Sequence, residues 1–462
     1  MTAPERFEAI VVGAGQGGVP LARAFADAGR RTLLIEAKHV GGTCVNEGCT
    51  PTKTMVASAR VAYLARRGAD YGVQTGSIAI DMRRVRERKR AIVESFRGGS
   101  EQHIRDTKNL SLLAATARFT AARTLQARAA DGSTRLLQSD CIVLNTGARP
   151  VVPAIDGIDR VAWLDSTSIM ELDAVPEHLL VVGGGYIGLE FGQMMRRFGS
   201  RVTLAQRGEV LLAREDEDIC RAVADVMRQD GLALLFSTTV TRLEAAPSGR
   251  ILATLSSGGA PLEVSHVLFA AGRAPNSDGL ACEAAGIARD RAGFITVNER
   301  LETSAPGVFA IGDVTGGPAF THIAYDDFRI LRTNLLQGGE ATTRDRLLPY
   351  TLFTDPQLGR VGLSEHEARA RGKAVDVYVM PMNYVARALE LDESRGLIKA
   401  VVDHSTQQIL GAAVLGIEGG ELMAVLQMAM IGGVRIDRLR DAIFAHPTLA
   451  EALNNLFAIP PR

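Results

Sequence analysis

The fold of this chain is decided by residues 7–36, which read FEAIVVGAGQGGVPLARAFADAGRRTLLIE. An apolar strand enters a glycine turn, a helix follows, and a second strand ends at Glu36, 21 residues after Gly15. Such glycines let the backbone approach a pyrophosphate at a helix N-terminus, and the carboxylate takes a pair of ribose hydroxyls. The stretch therefore predicts an α/β unit that binds a dinucleotide through Gly13, Gly15, Gly18 and Glu36.

The same pattern returns in residues 179–188, which read LLVVGGGYIG and lead into a helix and a further strand at 201–204. Two such patterns predict two bound dinucleotides. The position 21 residues after Gly185 is Gln206, so no carboxylate is there to hold a free 2′-hydroxyl. Arg207, together with Arg214, is suited to a 2′-phosphate, which favours NADPH over NADH. The alternative is that Arg207 is an ordinary surface arginine. The glycines expected to form this second turn are Gly183, Gly185 and Gly188.

Residues 41–53 read GGTCVNEGCTPTK and place Cys44 and Cys49 five positions apart. In a regular helix, residues at this spacing are too far apart for a disulfide. Pairing therefore requires an irregular backbone between them, which Asn46 and Gly48 permit.

Thr50 and Pro51 are typical of a helix start, so Cys49 is expected just before a helix N-terminus. The partial positive charge of that terminus favours a thiolate, and Lys53 is placed to add to the effect. A disulfide with a stabilised leaving thiolate is easily reduced, so the spacing favours a working redox pair. The alternative is two unrelated buried thiols.

Composition limits the classes of partner. Lys plus Arg and Asp plus Glu both total 52, which offers no argument for nucleic acid or an anionic membrane. The charged residues at 81–105 are better explained by a solvated helix face than by a nucleic-acid patch. Five cysteines suit a reducing compartment, and neither a signal sequence nor a long apolar span is present. We therefore expect a soluble cytoplasmic protein.

The rest of the chain completes this pattern. Short alternating strands run from Leu110 to a buried strand that ends at Gly147, and another buried strand delivers Asp313 at its end. From Pro349 onward, amphipathic alternation predicts an antiparallel sheet with covering helices. The C-terminal region closes on residues 444–451, which read FAHPTLAE.

Together these motifs resemble the class I pyridine nucleotide-disulfide oxidoreductases, the family of glutathione reductase, dihydrolipoamide dehydrogenase and mercuric reductase. The resemblance covers essentially the whole chain. It implies an α/β fold with two Rossmann-like domains, for FAD and NAD(P)H, and a C-terminal α+β dimerisation domain. The expected boundaries are 1–147 for the FAD domain with its redox disulfide, 148–272 for the NAD(P)H domain, 273–340 for a part completing the FAD domain, and 341–462 for the dimerisation domain.

The resemblance also implies a role for each matching residue. Cys49 would face the flavin and Cys44 would exchange with the substrate. Lys53 would pair with Glu190, and Tyr186 would be the ring that moves aside when the nicotinamide docks. Further residues expected to line the two nucleotides are Gly42, Thr43, Ala117, Thr146, Gly147, Ile187, Gly272, Arg273, Asp313 and His322.

At the C-terminus, the resemblance makes His446 an acid–base group held by Glu451 and supplied across a homodimer interface to the other subunit's disulfide. The alternative for His446 is a buried structural histidine. Glu451 has an alternative too, because it completes a capping box with Thr448. No residue is assigned as a metal ligand, although His322 is expected near the flavin.

The stretches 320–330 and 350–362 look most similar to the mercuric-reductase-like branch, which includes a bacterial reactive-chlorine-resistance flavoprotein. The chain lacks the C-terminal cysteine pair of mercuric reductase. The expected activity is therefore NAD(P)H oxidation through FAD and the cysteine pair, with a soft metal ion such as Hg(II) or Cu(II), or a small disulfide, as acceptor. The alternatives are a dihydrolipoamide dehydrogenase and, from another class, a flavin-bound redox sensor or docking component.

Overall fold

A computed structural model describes residues 3–462 of the chain. Its α-helices are Gly18–Asp27 (α1), Gly42–Asn46 (α2), Cys49–Arg66 (α3), Met82–Asp106 (α4), Tyr186–Phe198 (α5), Glu217–Gln229 (α6), Thr321–Leu336 (α7), Glu365–Ala370 (α8), Ala386–Glu390 (α9), Gly419–Ile431 (α10), Ile436–Arg440 (α11) and Ala452–Ala458 (α12).

The strands of the first half of the chain are Glu5–Arg6 (β1), Ala9–Val12 (β2), Thr32–Glu36 (β3), Leu110–Ala114 (β4), Thr116–Ala121 (β5), Thr124–Arg128 (β6), Thr134–Gln138 (β7), Ile142–Leu144 (β8), Ala148–Pro150 (β9), His178–Val182 (β10) and Arg201–Ala205 (β11). Those of the second half are Ala233–Leu235 (β12), Val240–Ala245 (β13), Ile251–Leu255 (β14), Leu262–Val264 (β15), His266–Phe269 (β16), Arg273–Pro275 (β17), Val308–Ala310 (β18), Tyr350–Leu352 (β19), Gln357–Gly362 (β20), Val375–Pro381 (β21), Leu397–Asp403 (β22) and Ile409–Gly416 (β23).

The chain divides into two compact units. The first comprises the residues up to Thr54, Arg84–Val151 and Gly272–Arg346. Its centre is a parallel five-stranded sheet in the order β18-β8-β2-β3-β4, and a second sheet has the order β1-β7-β6-β5. The strand β2 is buried along its whole length, as expected for a parallel sheet covered on both faces.

The second unit comprises Met55–Arg83, Val152–Ala271 and Leu347–Arg462. It repeats the arrangement of the first unit in a parallel sheet of order β12-β11-β10-β16, and β13-β14-β15 forms a separate antiparallel sheet. In both units the strand that enters a glycine turn lies between two parallel neighbours. The amide groups after that strand therefore lie at the carboxyl edge of the sheet, where α/β folds bind ligands.

The C-terminal part of the second unit is an antiparallel sheet of order β19-β20-β23-β22-β21. Helices α10 and α12 bury apolar residues on it, and Leu426, Leu453 and Leu456 are fully buried in this core. The amphipathic alternation in the sequence arises from this packing.

The α/β fold class and the repeated strand–turn–helix arrangement predicted from the sequence are confirmed. The last helix begins at Ala452, later than a capping box of Thr448 and Glu451 would place it. The charged stretch predicted to be a helix is α4. Within residues 3–462, no helix combines the length and the apolar character needed to cross a membrane.

Candidate functional site

The first glycine turn is shaped by a residue from a distant strand. Gly13 has φ +105°, and a Cβ there would lie 2.2 Å from the carbonyl oxygen of Asn145, so only glycine fits. The side-chain amide nitrogen of Asn145 donates a hydrogen bond to the carbonyl of Gly13 (3.1 Å). Asn145 follows β8 and was not predicted to belong to the site, because its contact spans 132 residues.

Glu36 is held beside this turn. Its carboxylate accepts hydrogen bonds from the amides of Ala14 (2.7 Å) and Lys38 (2.8 Å). The carboxylate is thus fixed at the end of β3, next to the residue that follows Gly13. This is the placement that the fingerprint predicts for a group that binds ribose hydroxyls.

The cysteine stretch packs directly on the same turn. The amide of Gly41 donates to the carbonyl of Ala14 (2.8 Å), and the side chain of Gln16 donates to the carbonyl of Gly41 (3.2 Å). A Cβ on Gly42 would lie 2.8 Å from the Cα of Gly15. The two motifs identified in the sequence therefore form one rigid local structure.

Cys44 lies on the short helix α2, and Cys49 is the first residue of α3. The predicted start of α3 after Thr50 is therefore wrong. The carbonyl of Gly48 already accepts the amide of Thr52 (3.1 Å), so helical hydrogen bonding begins earlier. The predicted irregular backbone between the cysteines is confirmed, since Glu47 ends α2 with φ −137°.

Both sulfurs are free thiols in the structure, Cys49 exposed and Cys44 half-buried. The pKa of Cys44 is raised, first by its hydrogen bond to Cys49 and then by burial, while Thr321 and Lys53 lower it. The raised pKa favours the protonated form of Cys44. The roles expected for the two cysteines stay predictions.

Thr321, the first residue of α7, contacts this pair directly: its Oγ1 lies 3.3 Å from the Sγ of Cys49. It also hydrogen-bonds Cys44 and lowers the pKa of that thiol. A hydroxyl that donates to sulfur stabilises the thiolate over the thiol. Thr321 was missed in the sequence because it lies 272 residues from Cys49.

Replacing Thr321 with valine is expected to make the pair less acidic, because valine keeps the shape of threonine but donates no hydrogen bond. The pH midpoint for alkylation of Cys49 by iodoacetamide should rise by roughly one unit. Thr321→Ser, which restores the donor, should return the midpoint to the wild-type value. An unchanged midpoint in Thr321→Val would remove the hydroxyl from the electrostatics of the pair.

Near the first glycine turn, two buried polar atoms have no hydrogen-bond partner within residues 3–462, namely Thr146 Oγ1 and Arg273 Nε. Arg273 Nε lies 3.9 Å from the carboxylate of Asp313, and burial raises the pKa of Asp313. Buried polar groups without partners are uncommon and fit a site that a ligand completes. The donors and acceptors here fit the hydroxyls and phosphates of FAD.

A further residue missed in the sequence, Asp327, supports this part of the site. Its carboxylate accepts the amide of Gly312 (2.9 Å) and pairs with Arg346 (2.6 Å). Burial raises the pKa of Asp327, and the hydrogen bond from Arg346 opposes that rise. Asp327 thereby fixes the turn that presents Asp313.

The second glycine turn repeats the first with one chemical difference. Gly183 has φ +111°, and a Cβ there would lie 2.6 Å from the carbonyl oxygen of Ala270. The amide of Gly184 donates to the side-chain oxygen of Gln206 (3.0 Å), which is the bond that Ala14 makes to Glu36 in the first turn. A neutral amide therefore occupies the position of the carboxylate.

Several predicted residues lie on the helix after this turn. Tyr186 begins α5, followed by Ile187 and then Gly188 and Glu190, which are buried. The carboxylate of Glu190 accepts the amide of Phe353 (2.9 Å). Lys53 lies in the other unit, so its pairing with Glu190 stays a prediction.

His446 is bound to Glu451 as expected. Its Nδ1 lies 2.8 Å from a carboxylate oxygen of Glu451, and the His446 side chain is 68% exposed. The alternative of a buried structural histidine is therefore wrong. The capping-box alternative is wrong too, because Thr448 accepts the Glu451 amide (3.3 Å) but the Glu451 side chain binds the imidazole. Helix α12 consequently starts after Glu451.

The other predicted residues are more dispersed. Ala117 lies on β5, where it packs against an apolar cluster. Thr43 is exposed on α2, and His322 is exposed on α7 with its ring stacked on Phe320 at 5.4 Å. Gly147 and Gly272 each have a positive φ and open space around the α-carbon. The roles of these residues in nucleotide binding stay predictions. In the described part of the chain, no group of three or more His, Cys, Asp or Glu side chains is arranged to hold a metal ion.

Two family models match the chain. Residues 7–327 match the pyridine nucleotide-disulphide oxidoreductase model. Residues 348–457 match the dimerisation domain of the pyridine nucleotide-disulphide oxidoreductases. The matches cover both glycine turns, the cysteine pair and the C-terminal histidine.

Individual relatives agree with these models. The chain is 37% identical over 458 residues to the probable pyridine nucleotide-disulfide oxidoreductase RclA of Escherichia coli (strain K12), covering 98% of this chain and 99% of the relative. It is 33% identical to mercuric reductase of Streptomyces lividans over 97% of this chain and 94% of the relative. A solved Cu(II) complex of HOCl-induced flavoprotein disulfide reductase RclA from Escherichia coli superimposes with a TM-score of 0.90 at 36% identity, covering 98% and 99% of the two chains. The chain therefore belongs to the class I pyridine nucleotide-disulfide oxidoreductase family and is a flavin-dependent oxidoreductase.

Proposed function

We propose that this protein takes electrons from NADPH through FAD to the Cys44–Cys49 pair and on to a soft metal ion, Hg(II) or Cu(II), or to a small disulfide. The observation that carries the proposal is the Cys44 thiol hydrogen-bonded to Cys49 at the start of α3, on a segment fixed to the first glycine turn. In thiol–disulfide exchange the thiolate is the attacking and leaving group, and the raised pKa of Cys44 supports assigning the thiolate to Cys49.

When bound, FAD would relay two electrons from the nicotinamide to the sulfur pair. The residues that would hold it are Glu36, Thr146, Arg273 and Asp313, whose polar groups converge near the first turn. Reduction of the disulfide by NADPH would give the Cys44 thiol and the Cys49 thiolate, since a hydride supplies two electrons and one proton. Oxidation of this pair would return two electrons to the acceptor, enough for one Hg(II) to Hg(0) or two Cu(II) to Cu(I), with release of one proton. A disulfide acceptor would instead take up that proton and one more and leave as two thiols.

The preference for a soft metal ion or a small disulfide rests on the relatives and on thiol chemistry. Mercuric reductases and an RclA structure bound to Cu(II) are among the similar proteins. Thiolates bind soft metals readily, and the exposed Cys49 and half-buried Cys44 are free thiols here. Because such thiols persist in a reducing compartment, we place the protein in the cytoplasm.

The NADPH preference rests on Gln206 and on two exposed arginines, Arg207 and Arg214, which make no ion pair within residues 3–462. Replacing Arg207 with glutamate is expected to weaken the binding of NADPH by about tenfold or more and to change the binding of NADH little, because only NADPH has the 2′-phosphate. The measurement is the dissociation constant of each nucleotide.

The matched control for this charge reversal is Arg221→Glu. Arg221 is also an exposed arginine of the second unit and pairs with Glu217 on α6. This variant should change the dissociation constant of neither nucleotide. An equal effect of Arg207→Glu on NADPH and NADH would remove Arg207 from nucleotide recognition.

We further propose a homodimer in which His446 serves the cysteine pair of the partner subunit. The match to a dimerisation domain supports this. The His446–Glu451 pair supports it too, because the carboxylate holds Nδ1 while most of the histidine side chain is exposed. An imidazole can both accept and donate a proton, which thiol–disulfide exchange requires.

An acceptor panel tests the proposal. Purified holoenzyme would be assayed with NADPH and with NADH against oxidised glutathione, lipoamide, Hg(II), Cu(II), a quinone and oxygen. We expect the fastest turnover with NADPH and a soft metal ion or a small disulfide. Robust NADH-dependent reduction of lipoamide would instead identify a dihydrolipoamide dehydrogenase. Turnover at background rates with every acceptor would favour the redox sensor.

A further inference from the structure

The ring of Tyr186 is in contact with a second tyrosine. Tyr186 is the first residue of α5, and Gly185 before it is extended with ψ −176°. Its ring packs against that of Tyr350 with centroids 5.4 Å apart and planes inclined by 59°. Tilted aromatic pairs at this distance attract one another, so Tyr350 restrains the Tyr186 ring in the position observed.

Tyr350 is itself fixed by a buried ion pair. It begins β19 and lies directly opposite Arg360 on β20. The hydroxyl of Tyr350 donates to one carboxylate oxygen of Glu215, and Nε of Arg360 donates to the other oxygen (3.1 Å). Cross-strand neighbours project to the same face of a sheet, which is how one carboxylate joins both side chains.

The anchor at Glu215 is rigid. The side chains of Glu215 and Arg360 are 1% and 6% exposed. Arg360 also donates to the carbonyls of Val361 (2.7 Å) and Gly362 (3.1 Å). A buried charge pair whose hydrogen bonds are satisfied in this way has little freedom to rearrange.

The ion pair of Glu215 and Arg360 also acts electrostatically on Tyr186. Burial raises the pKa of Tyr186 to about 12, and the charge of Glu215 adds to this rise while Arg214 and Arg360 oppose it. Burial likewise raises the pKa of Glu215 to about 7 against the effect of Arg360. The charge of the carboxylate that holds Tyr350 thus also acts on Tyr186.

We propose that Tyr350, anchored by Glu215 and Arg360, is a positioning residue that holds the Tyr186 ring over the nicotinamide position, so that the nicotinamide must displace a restrained ring to dock. The inference rests on the proposed function and on the family resemblance, which implies that Tyr186 moves aside for the nicotinamide. It assigns a role to three residues outside the glycine turn and makes part of the nucleotide's apparent affinity depend on them.

The proposal predicts that the restrained ring weakens binding of the nicotinamide end of the nucleotide and leaves binding of the adenosine end unchanged. If only a fraction of molecules has the ring displaced, the apparent affinity for any ligand that carries a nicotinamide is reduced by that fraction. A ligand without the nicotinamide binds without moving the ring. NADP⁺ and adenosine 2′,5′-bisphosphate, which share the 2′-phosphate but differ in the nicotinamide, are the probes that distinguish these cases.

The experiment measures equilibrium binding of both probes to the FAD-loaded protein by calorimetry. Tyr350→Leu removes the ring, and Tyr350→Phe removes only the hydroxyl bond to Glu215. We expect Tyr350→Leu to bind NADP⁺ about three- to tenfold more tightly than the wild type, with Tyr350→Phe between them. Adenosine 2′,5′-bisphosphate should bind all forms equally. Tyr378→Phe, the same change at a buried tyrosine of this unit that contacts Phe457, is the control and should change neither affinity.

The other outcomes distinguish failure of the positioning role from failure of the proposed function. Weaker or unchanged NADP⁺ binding in Tyr350→Leu, or equal changes for both probes, would overturn the positioning role. If Tyr350→Leu does not fold, Tyr350→Phe, which keeps the ring, decides by the same comparison. Failure of the wild type to bind either probe would instead contradict the proposed function and the inference that rests on it.

Discussion

Replacing Cys49 with serine is expected to abolish both turnover and the long-wavelength absorbance that a Cys49 thiolate gives against oxidised flavin. Turnover should fall by more than about 10³-fold, because no disulfide can form. Cys44→Ser should lose turnover to the same extent but show the absorbance without any reductant, since Cys49 then has no cysteine with which to form the disulfide. The measurements are the visible spectrum of each purified variant and its steady-state rate.

The asymmetry between the two variants follows from the geometry of the pair. Cys44 keeps its proton through its hydrogen bond to Cys49 and its burial. Cys141→Ser is the matched control, because Cys141 is also a half-buried free thiol of the first unit. It should retain wild-type spectrum and turnover. Identical spectra for Cys44→Ser and Cys49→Ser would show that the assignment of roles is wrong.

Replacing His446 with glutamine is expected to lower reduction of a disulfide acceptor by about 10²- to 10⁴-fold, because glutamine cannot carry the proton that the leaving thiol needs. Reduction of the flavin by NADPH should be little affected, since that step does not use the imidazole. Stopped-flow measurement of the two half-reactions separates these effects.

The chain contains an unusually close control for this substitution. His404 binds Asp376 through Nδ1 at 3.0 Å, and its side chain is 68% exposed, the same fraction as that of His446. His404→Gln should leave both half-reactions unchanged. Equal losses in the two variants would mean that removal of any surface His–carboxylate pair damages the protein, and His446 would lose its assigned role.

The subunit that His446 serves can be tested with mixed dimers. A dimer of one His446→Gln chain and one Cys49→Ser chain has an intact cysteine pair and an intact histidine only on opposite chains. If His446 acts across the interface, this dimer recovers about half of the wild-type activity, because one of its two sites is complete. Absence of any recovery would place the histidine and the cysteines of a working site on the same chain.

The parts of the site that could be predicted from the sequence are those encoded within a short stretch. Gly13 and Glu36 are joined by one strand–turn–helix–strand segment, and the structure connects them through the amide of Ala14. Gln206 was predicted in the same way, from its distance to Gly185, and it makes the equivalent bond to Gly184.

The parts that could not be predicted depend on contacts between distant segments. Asn145 binds Gly13 from 132 residues away, and Thr321 reaches Cys49 across 272 residues. Nothing in the local sequence around Thr321 distinguishes it from an ordinary helix-starting threonine. Asp327 resembles any charged residue of an amphipathic helix until the fold buries it beneath Gly312.

Local rules also failed where a tertiary contact competed with them. Thr448 and Glu451 satisfy the pattern of a capping box, but the carboxylate binds His446. Thr50 and Pro51 satisfy the pattern of a helix start, but the carbonyl of Gly48 begins the helix earlier. In both cases the departure lies at the residues to which the chemistry is assigned.

The most direct test of the central claim is an anaerobic reductive titration of the FAD-loaded protein. If the Cys44–Cys49 pair exchanges electrons with the flavin, the wild type should accept about four electrons per subunit, two more than the flavin alone holds. Cys44→Ser should accept about two. A wild-type protein that accepts only about two electrons, or that is isolated colourless and does not bind FAD, would contradict the account.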